Sequence, residues 1–181
     1  MVILGFQERP YEHYHPDDLA SPTAQTSSTL ALMALATRFG YKLYQTDFSG
    51  AFLQGSLETP LWIKVPFGAH EALGIPKDIY ACQIVSGLYG LKQASKIFFD
   101  LLVKTLTDIG FVQHKNVDPC LFTLKNERGS IWITTHVDDL TVVTTDEEYW
   151  IELCEKIKKI LHISINIPAE YILSMKTEEE S

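Results

Sequence analysis

Two adjacent aspartates interrupt a stretch of the chain that otherwise has the composition of two β-strands. Asp138 and Asp139 lie between residues 131–137 and 140–144, and both flanking segments are rich in β-branched side chains. Aspartate is depleted in strands and like charges repel, so the pair predicts the tip of a tight hairpin. Two interpretations are open at this point: carboxylates that hold a divalent cation, or a solvated type I′ turn that uses Asp for its backbone geometry.

A third aspartate changes the balance between these interpretations. Asp47 ends another short strand candidate, residues 41–47, and the small residues Ser49, Gly50 and Ala51 follow closely. Small residues let a backbone approach a ligand. Three carboxylates at two strand ends suit a two-metal site, in which two Mg²⁺ ions about 3.5–4 Å apart stabilise the attacking and leaving oxygens of a phosphoryl transfer.

The rest of the chain predicts an α+β fold. After an apolar helix over residues 29–39, buried almost all round and ended by Gly40, the order is strand, strand, helix, strand, strand, helix. This order is typical of helices packed on an antiparallel sheet. The predicted elements are strands 41–47 and 61–65, a loop over 69–78, a helix that ends at Gly110, strands 121–124 and 131–144 with their turns, and a helix that begins with a Thr145/Glu148 capping box.

Composition limits the functional classes. The 181 residues include 23 acidic and 15 basic side chains, a formal charge of −8, which argues against nucleic-acid binding through bulk charge. No apolar run approaches the roughly 18 residues of a membrane span, and no signal sequence is evident. We therefore expect an intracellular protein. Three widely spaced cysteines fit buried thiols better than disulfides or a zinc site: Cys82, Cys120 and Cys154.

Four stretches carry a family resemblance. They read TDFSGAFLQGSLETPLWIKVPFG, GLYGLKQASKIFFDLL, DPCLFTL and HVDDLTVVTTD. In this order they resemble the reverse-transcriptase domain of copia-type LTR retrotransposons. The first is similar to motif A of that family, the second to motif B, and the fourth to the metal-binding hairpin of motif C. With weaker likeness near both ends, the resemblance covers nearly the whole chain.

The resemblance implies a right-hand polymerase palm, whose ferredoxin-like antiparallel sheet packs on helices. It implies one partial reverse-transcriptase domain over residues 1–181, with residual fingers in 1–40 and the palm in 41–181. The thumb, RNase H and integrase would lie outside this chain. The implied activity is RNA-directed DNA synthesis on an RNA or DNA template with a primer and deoxynucleoside triphosphates. The implied location is the cytoplasm, within virus-like particles and away from membranes.

Site residues follow from the resemblance position by position. Asp47, Asp138 and Asp139 match the catalytic ligands of two Mg²⁺ ions, for which Mn²⁺ is a substitute, and the carbonyl of Phe48 would add an oxygen. Phe52 matches the steric gate that excludes a ribose 2′-hydroxyl, although its pattern alone also fits a core phenylalanine.

Motif B supplies the other implied contacts. Tyr89 and Gly90 would lie against the incoming nucleotide. Lys92, Gln93 and Lys96 would face the template and primer, with a solvated helix face and a surface glutamine as the alternatives.

This sequence departs from the family in places that leave the activity open. His136 replaces the tyrosine that usually begins motif C. This change puts polymerase activity in question more than metal binding. No basic residue precedes Arg9 to clamp the triphosphate, and the basic thumb and fingers are expected to lie largely outside the chain. The alternative is an inactive palm remnant that acts as an interaction module. A cyclase or phosphohydrolase on a similar sheet is disfavoured by the GLYGLKQ stretch.

Overall fold

The computed structural model describes residues 8–16, 19, 21–166, 171–172 and 175–176 of the chain. The fold is a mixed α+β arrangement with antiparallel sheets, as predicted. Within the described residues, no helix is long and apolar enough to cross a membrane. The helices are α1 (Thr26–Phe39), α2 (Ala69–Ala72), α3 (Ala94–Ile109) and α4 (Glu147–Ile157). The strands are β1 (Lys42–Phe48), β2 (Ser56–Lys64), β3 (Ala81–Ser86), β4 (Val112–Gln113), β5 (Leu121–Asn126), β6 (Gly129–His136), β7 (Asp139–Thr144), β8 (Ile163–Asn166), β9 (Tyr171–Ile172) and β10 (Met175–Lys176).

The chain divides into two compact units, each assembled from two segments. The first, which we call the ribbon unit, comprises Met1–Ala20 and Phe52–Phe98. The second, the sheet unit, comprises Ser21–Ala51 and Phe99–Ser181. Each unit is described below by itself.

The sheet unit contains a six-stranded antiparallel sheet in the order β4-β5-β6-β7-β1-β8. Strand β7 is central, and it pairs with β6 on one side and β1 on the other. Its residues 140–144 are all buried, on both faces of the sheet. The valine and threonine side chains that dominate this strand suit such a position because β-branched residues pack well on a pleated surface.

One face of this sheet changes character along its strands. Residues directly opposite each other on neighbouring strands share a face, so the register places side chains in rows. The rows on the face toward α1 are apolar (Leu43, Val143, Trp132), then polar (Gln45, Thr141, Thr134), then ionisable (Asp47, Asp139, His136). Helix α1 packs on the apolar row through Leu32 and Ala36.

Helix α1 begins three residues before its predicted start and is not buried all round. Leu30 is 43% exposed and Phe39 is 59% exposed, so the helix buries one face and the prediction of all-round burial is wrong. Its predicted end is confirmed. Gly40 adopts a left-handed conformation, with φ of 67°, and its backbone N–H donates to the carbonyl of Ala36.

Helix α4 forms where the sequence predicts a helix but has a different cap. The buried residues are Tyr149, Trp150, Leu153, Cys154 and Ile157. Its N-cap is Asp146, whose carboxylate accepts the Tyr149 N–H at 2.8 Å, while Thr145 bonds the backbone of Ser130. The predicted Thr145 cap is therefore wrong.

The ribbon unit has a smaller core. Strands β2 and β3 form a two-stranded antiparallel ribbon whose register shifts between Ser56 and Leu61, around a proline that cannot donate to the ladder. The sequence analysis missed β3 and expected a loop where α2 forms. The buried cluster of this unit consists of Leu57, Leu61, Leu91 and Ala94.

Candidate active site

Strands β1 and β7 bring two of the three candidate acids face to face. Asp47 is directly opposite Asp139 in their antiparallel register. Opposite residues project from the same face with Cβ atoms about 4.5–5.5 Å apart. Both residues are half-buried. The alternation of β1, which buries Tyr44, Thr46 and Phe48 on the other face, leaves Asp47 on this one.

The third acid lies on the turn that joins β6 to β7. The central residues of this turn are Val137 and Asp138, and Asp139 is the first residue of β7. The predicted turn at Asp138-Asp139 is therefore displaced by one residue. Only Val137 of the two central residues has a positive φ, of 54°, whereas a type I′ turn needs two. The type I′ interpretation is therefore wrong. The one position with a positive φ is taken by a β-branched residue, Val137, and not by an aspartate.

A backbone hydrogen bond ties this turn to the end of β1. The Phe48 N–H donates to the Asp138 carbonyl at 2.9 Å. The side chain of Phe48 is buried on the opposite face of the sheet. The turn that carries Asp138 is thereby fixed beside the strand that carries Asp47.

The three acids repel one another. Burial, followed by the negative charge of Asp47, raises the pKa of Asp138. Burial also raises the pKa of Asp139, with added contributions from the charges of Asp47 and Asp138 and from a hydrogen bond between the Asp47 and Asp139 carboxyl groups. A cation held between these carboxylates would offset the repulsion that raises these pKa values.

The negative charge of the three acids fits a divalent cation, although these side chains do not form a complete set of metal ligands. Across the described part of the chain, no group of three His, Cys, Asp or Glu side chains is placed to hold a metal ion. The Oδ1 atom of Asp138 is buried and meets no hydrogen-bond donor among the described residues. A buried acceptor without a partner is costly. A hard cation would satisfy this oxygen and reduce the repulsion among the carboxylates.

His136 is the last residue of β6 and lies opposite Asp139. Its side chain is exposed. The charge of His136 lowers the pKa of Asp139, against the larger effect of burial. The residue that departs from the family pattern thus lies in the same row of side chains as two of the acids.

The candidate nucleotide residues belong to the ribbon unit. The ring of Phe52 packs on that of Tyr89, with centroids 4.8 Å apart and planes inclined by 58°. Phe52 is half-buried and packs against the Leu57 cluster, as a core phenylalanine would, and its role as a steric gate stays a prediction. A side chain at Gly87 would collide with the Phe52 carbonyl, and Gly90 has a φ of 99°.

The candidate template residues of motif B differ in their surroundings. Gln93 is buried, and its side-chain amide donates to the His13 carbonyl at 3.3 Å. The alternative of a surface glutamine is therefore wrong. Lys92 donates through Nζ to the Tyr14 hydroxyl at 2.9 Å, and Lys96 is half-buried near the start of α3. A role for these residues toward template or primer stays a prediction.

The sequence analysis assigned no role to one buried acid. Asp118 is fully buried, and its carboxylate accepts the backbone N–H groups of Gln25 and Cys120, both at 2.9 Å. It joins the start of α1 to the start of β5. An aspartate directly before a proline indicates a turn, but it does not show which groups the carboxylate bonds.

Comparison with known proteins identifies the family of the chain. The sequence profile described as "Reverse transcriptase (RNA-dependent DNA polymerase)" matches residues 1–178. The chain is 29% identical over 99% of its length to "Retrovirus-related Pol polyprotein from transposon TNT 1-94" of Nicotiana tabacum. It is 30% identical over 81% of its length to the polyproteins from transposons RE1 and RE2 of Arabidopsis thaliana.

These relatives are much longer than the chain. The matched region is 13% of the tobacco polyprotein and 10% of each Arabidopsis polyprotein. No solved structure gives a significant match.

Proposed function

Since the chain belongs to the reverse transcriptase (RNA-dependent DNA polymerase) family, with copia-type transposon polyproteins among its relatives, we propose that it catalyses RNA-directed DNA synthesis as the palm of such an enzyme. The observation that carries the proposal is the row in which Asp47 faces Asp139, with Asp138 on the adjoining turn. The six-stranded antiparallel sheet supports a ferredoxin-like palm. Residues 1–40 are proposed as fingers and 41–181 as palm.

The proposed chemistry is nucleotidyl transfer. The primer 3′-oxygen bonds to the α-phosphorus of a deoxynucleoside triphosphate, the bond to the β-phosphate oxygen breaks, and pyrophosphate leaves. Two Mg²⁺ or Mn²⁺ ions, when bound, would neutralise the charge that develops on the attacking and leaving oxygens. The part of the chain in this reaction is to hold Asp47, Asp138 and Asp139 at one end of a rigid sheet, with the carbonyl of Phe48 as a further ligand. Positioning of this kind accounts for most of the catalysis of phosphoryl transfer.

The ribbon unit is proposed to select the nucleotide. Phe52 would clash with a ribose 2′-hydroxyl, and the close approach of Gly87 to its carbonyl supports a fixed position for the ring. Tyr89 and Gly90 would contact the same nucleotide. Lys92, Gln93 and Lys96 are proposed to face the template and primer. The partners of the reaction are thus a primed template and deoxynucleoside triphosphates, with the other polyprotein domains in the longer protein.

Primer extension tests this function. The chain is incubated with a primed RNA or DNA template and Mg²⁺ or Mn²⁺, and extension of a labelled primer is followed on a gel. We expect extension by the wild type, at least a hundredfold less with Asp47→Asn, and incorporation of ribonucleotides by Phe52→Ala. Equal extension by wild type and Asp47→Asn would overturn the site assignment.

One observation favours a second candidate, a folded palm without polymerase activity. An exposed imidazole, His136, occupies the row beside Asp139 where the family usually has a tyrosine. His136→Tyr separates the two. Extension that appears only with this variant supports the inactive palm, whereas extension by the wild type refutes it.

A further inference from the structure

A segment near the start of the chain contacts the start of α3 within the ribbon unit. We call residues 8–14 the strap. Glu8 and Tyr14 both contact Lys92, through the main chain and the side chain respectively. His13 accepts a hydrogen bond from Gln93. Three strap residues therefore hold the two residues that directly precede α3, from about 80 positions away in sequence.

Glu8 supplies an anionic partner at the N-terminal end of α3. Its Oε2 atom accepts the backbone N–H of Lys92 at 2.9 Å in a half-buried setting. Lys92 lies in the turn two residues before α3, and the N-terminal end of a helix carries partial positive charge. A carboxylate bonded to a backbone N–H is a strong, charge-assisted partner. Glu8 therefore fixes the backbone at Lys92.

Tyr14 fixes the side chain of the same lysine. Its hydroxyl accepts a hydrogen bond from Lys92 Nζ at 2.9 Å, and the ammonium lies 4.6 Å from the centroid of its ring. A lysine side chain that makes no such contact has high rotamer entropy. The ammonium has three donors, and Tyr14 takes one of them. The hydroxyl and the ring together orient a cation that keeps capacity for a phosphate.

Lys92 is also anchored on its other side. Its neighbour Leu91 is buried with Leu57, Leu61 and Ala94, and the Tyr89–Gly90 turn comes just before it. The backbone from Tyr89 to Gln93 is thus fixed by a hydrophobic cluster and by the strap. Orientation before binding raises affinity because less entropy is lost on association.

We infer that Glu8 and Tyr14 are positioning residues that preorganise Lys92 to bind a backbone phosphate of the primed template. This rests on the proposed function. Neither residue touches the nucleic acid in this account; both act through Lys92. Removal of either contact therefore weakens binding while the charge of Lys92 stays in place.

The test is fluorescence anisotropy of a labelled RNA–DNA primer–template duplex with the full chain, across a series of salt concentrations. The variants are Tyr14→Phe, Glu8→Gln and Lys92→Gln. Matched controls in the strap are Tyr11→Phe and Glu12→Gln, because Tyr11 is 76% exposed and Glu12 pairs with Arg9 at 3.3 Å on the surface. Thermal unfolding of each variant verifies that it folds.

We expect Tyr14→Phe to raise the Kd about fivefold with an unchanged salt slope, on the scale of one lost hydrogen bond. Glu8→Gln keeps an acceptor for the Lys92 N–H and loses only its charge, so it should raise the Kd by a smaller factor, about twofold. Lys92→Gln should raise the Kd and reduce the slope by about one phosphate contact. If Glu8 and Tyr14 were needed only for folding, their variants would contain less active protein. The Kd and the salt slope of the folded fraction would then match those of the wild type.

The outcomes separate the inference from the function on which it rests. If the wild type binds and both strap variants bind like their controls, the inference is overturned and the function stands. If Glu8→Gln fails to fold, Tyr14→Phe decides, since it removes one oxygen atom. A wild type that does not bind the duplex overturns both.

Discussion

The two units of the molecule differ in how far their large apolar side chains are buried. In the sheet unit Trp150, Phe122 and Leu153 are buried almost completely. In the ribbon unit Trp62 is 68% exposed and Tyr80 is 79% exposed. The acids are held by the well-packed unit, and the residues proposed to meet nucleotide and template belong to the lightly packed one. Side chains held on rigid, well-packed elements keep a fixed geometry, which is what the proposed cation site requires.

Replacing one buried leucine by alanine in each unit gives the largest expected change in the free energy of unfolding. Leu153→Ala removes a fully buried side chain from α4 and should cost about 3–4 kcal/mol of unfolding free energy, because the dense core leaves a cavity. Leu61→Ala in the ribbon should cost about 2 kcal/mol or less, since its four-residue cluster can collapse. Urea unfolding measures both. Equal losses would break the comparison.

The rate at which cysteine thiols react gives the next largest expected difference between the units. Burial raises the pKa of Cys154 in the sheet unit to about 12 and also raises the pKa of Cys120, so few thiolates are present at neutral pH. Cys82 in β3 is half-buried. We expect a maleimide to label Cys82 at least tenfold faster than the other two in the native protein, as peptide mass spectrometry would show. Cys82→Ser is the control, and fast labelling of Cys154 would contradict the account.

The smallest effect concerns the repulsion among the acids. Because the folded-state pKa of Asp139 is raised, its contribution to stability is present below its unfolded pKa and is lost as the pH rises through the folded value. Asp139→Asn should therefore be more stable than the wild type at pH 7 without metal, by about 0.5 kcal/mol after solvent screening. The difference should vanish below about pH 4. Unfolding curves across this range test it.

The control for that series lies in the other unit. Asp78 is exposed on the loop before β3, and Asp78→Asn should leave stability unchanged at every pH. A stabilisation of equal size by Asp78→Asn would mean that net charge, rather than the acidic row, is the cause.

Local sequence signals predicted most of the sheet unit. Alternation placed Asp47 on one face of β1, the β-branched runs located β6 and β7, and Gly40 marked the end of α1. The predictions failed where a neighbouring residue competed for the same role. Asp146 replaced Thr145 as the cap of α4, and the turn moved by one residue because Asp139 pairs with Asp47 in the ladder.

The contacts of the ribbon unit could not be read from the sequence in the same way. Strand β3 alternates between half-buried and exposed residues but has no strong apolar run. Gln93 donates to His13 and Glu8 accepts from Lys92, and each pair of residues is separated by about 80 positions. Such long-range partners leave no periodic signal, so the sequence left open whether Gln93 faces the template or is a surface residue.

The central claim is that Asp47, Asp138 and Asp139 form one divalent-cation site, and calorimetric titration of Mn²⁺ tests it most directly. The proteins compared are the wild type, the double variant Asp138→Asn with Asp139→Asn, and the control Asp108→Asn, whose exposed carboxylate pairs with Lys104 in α3 at 2.7 Å. We predict saturable binding by the wild type and the control, and at least tenfold weaker binding by the double variant. Identical binding curves for all three proteins would contradict the claim.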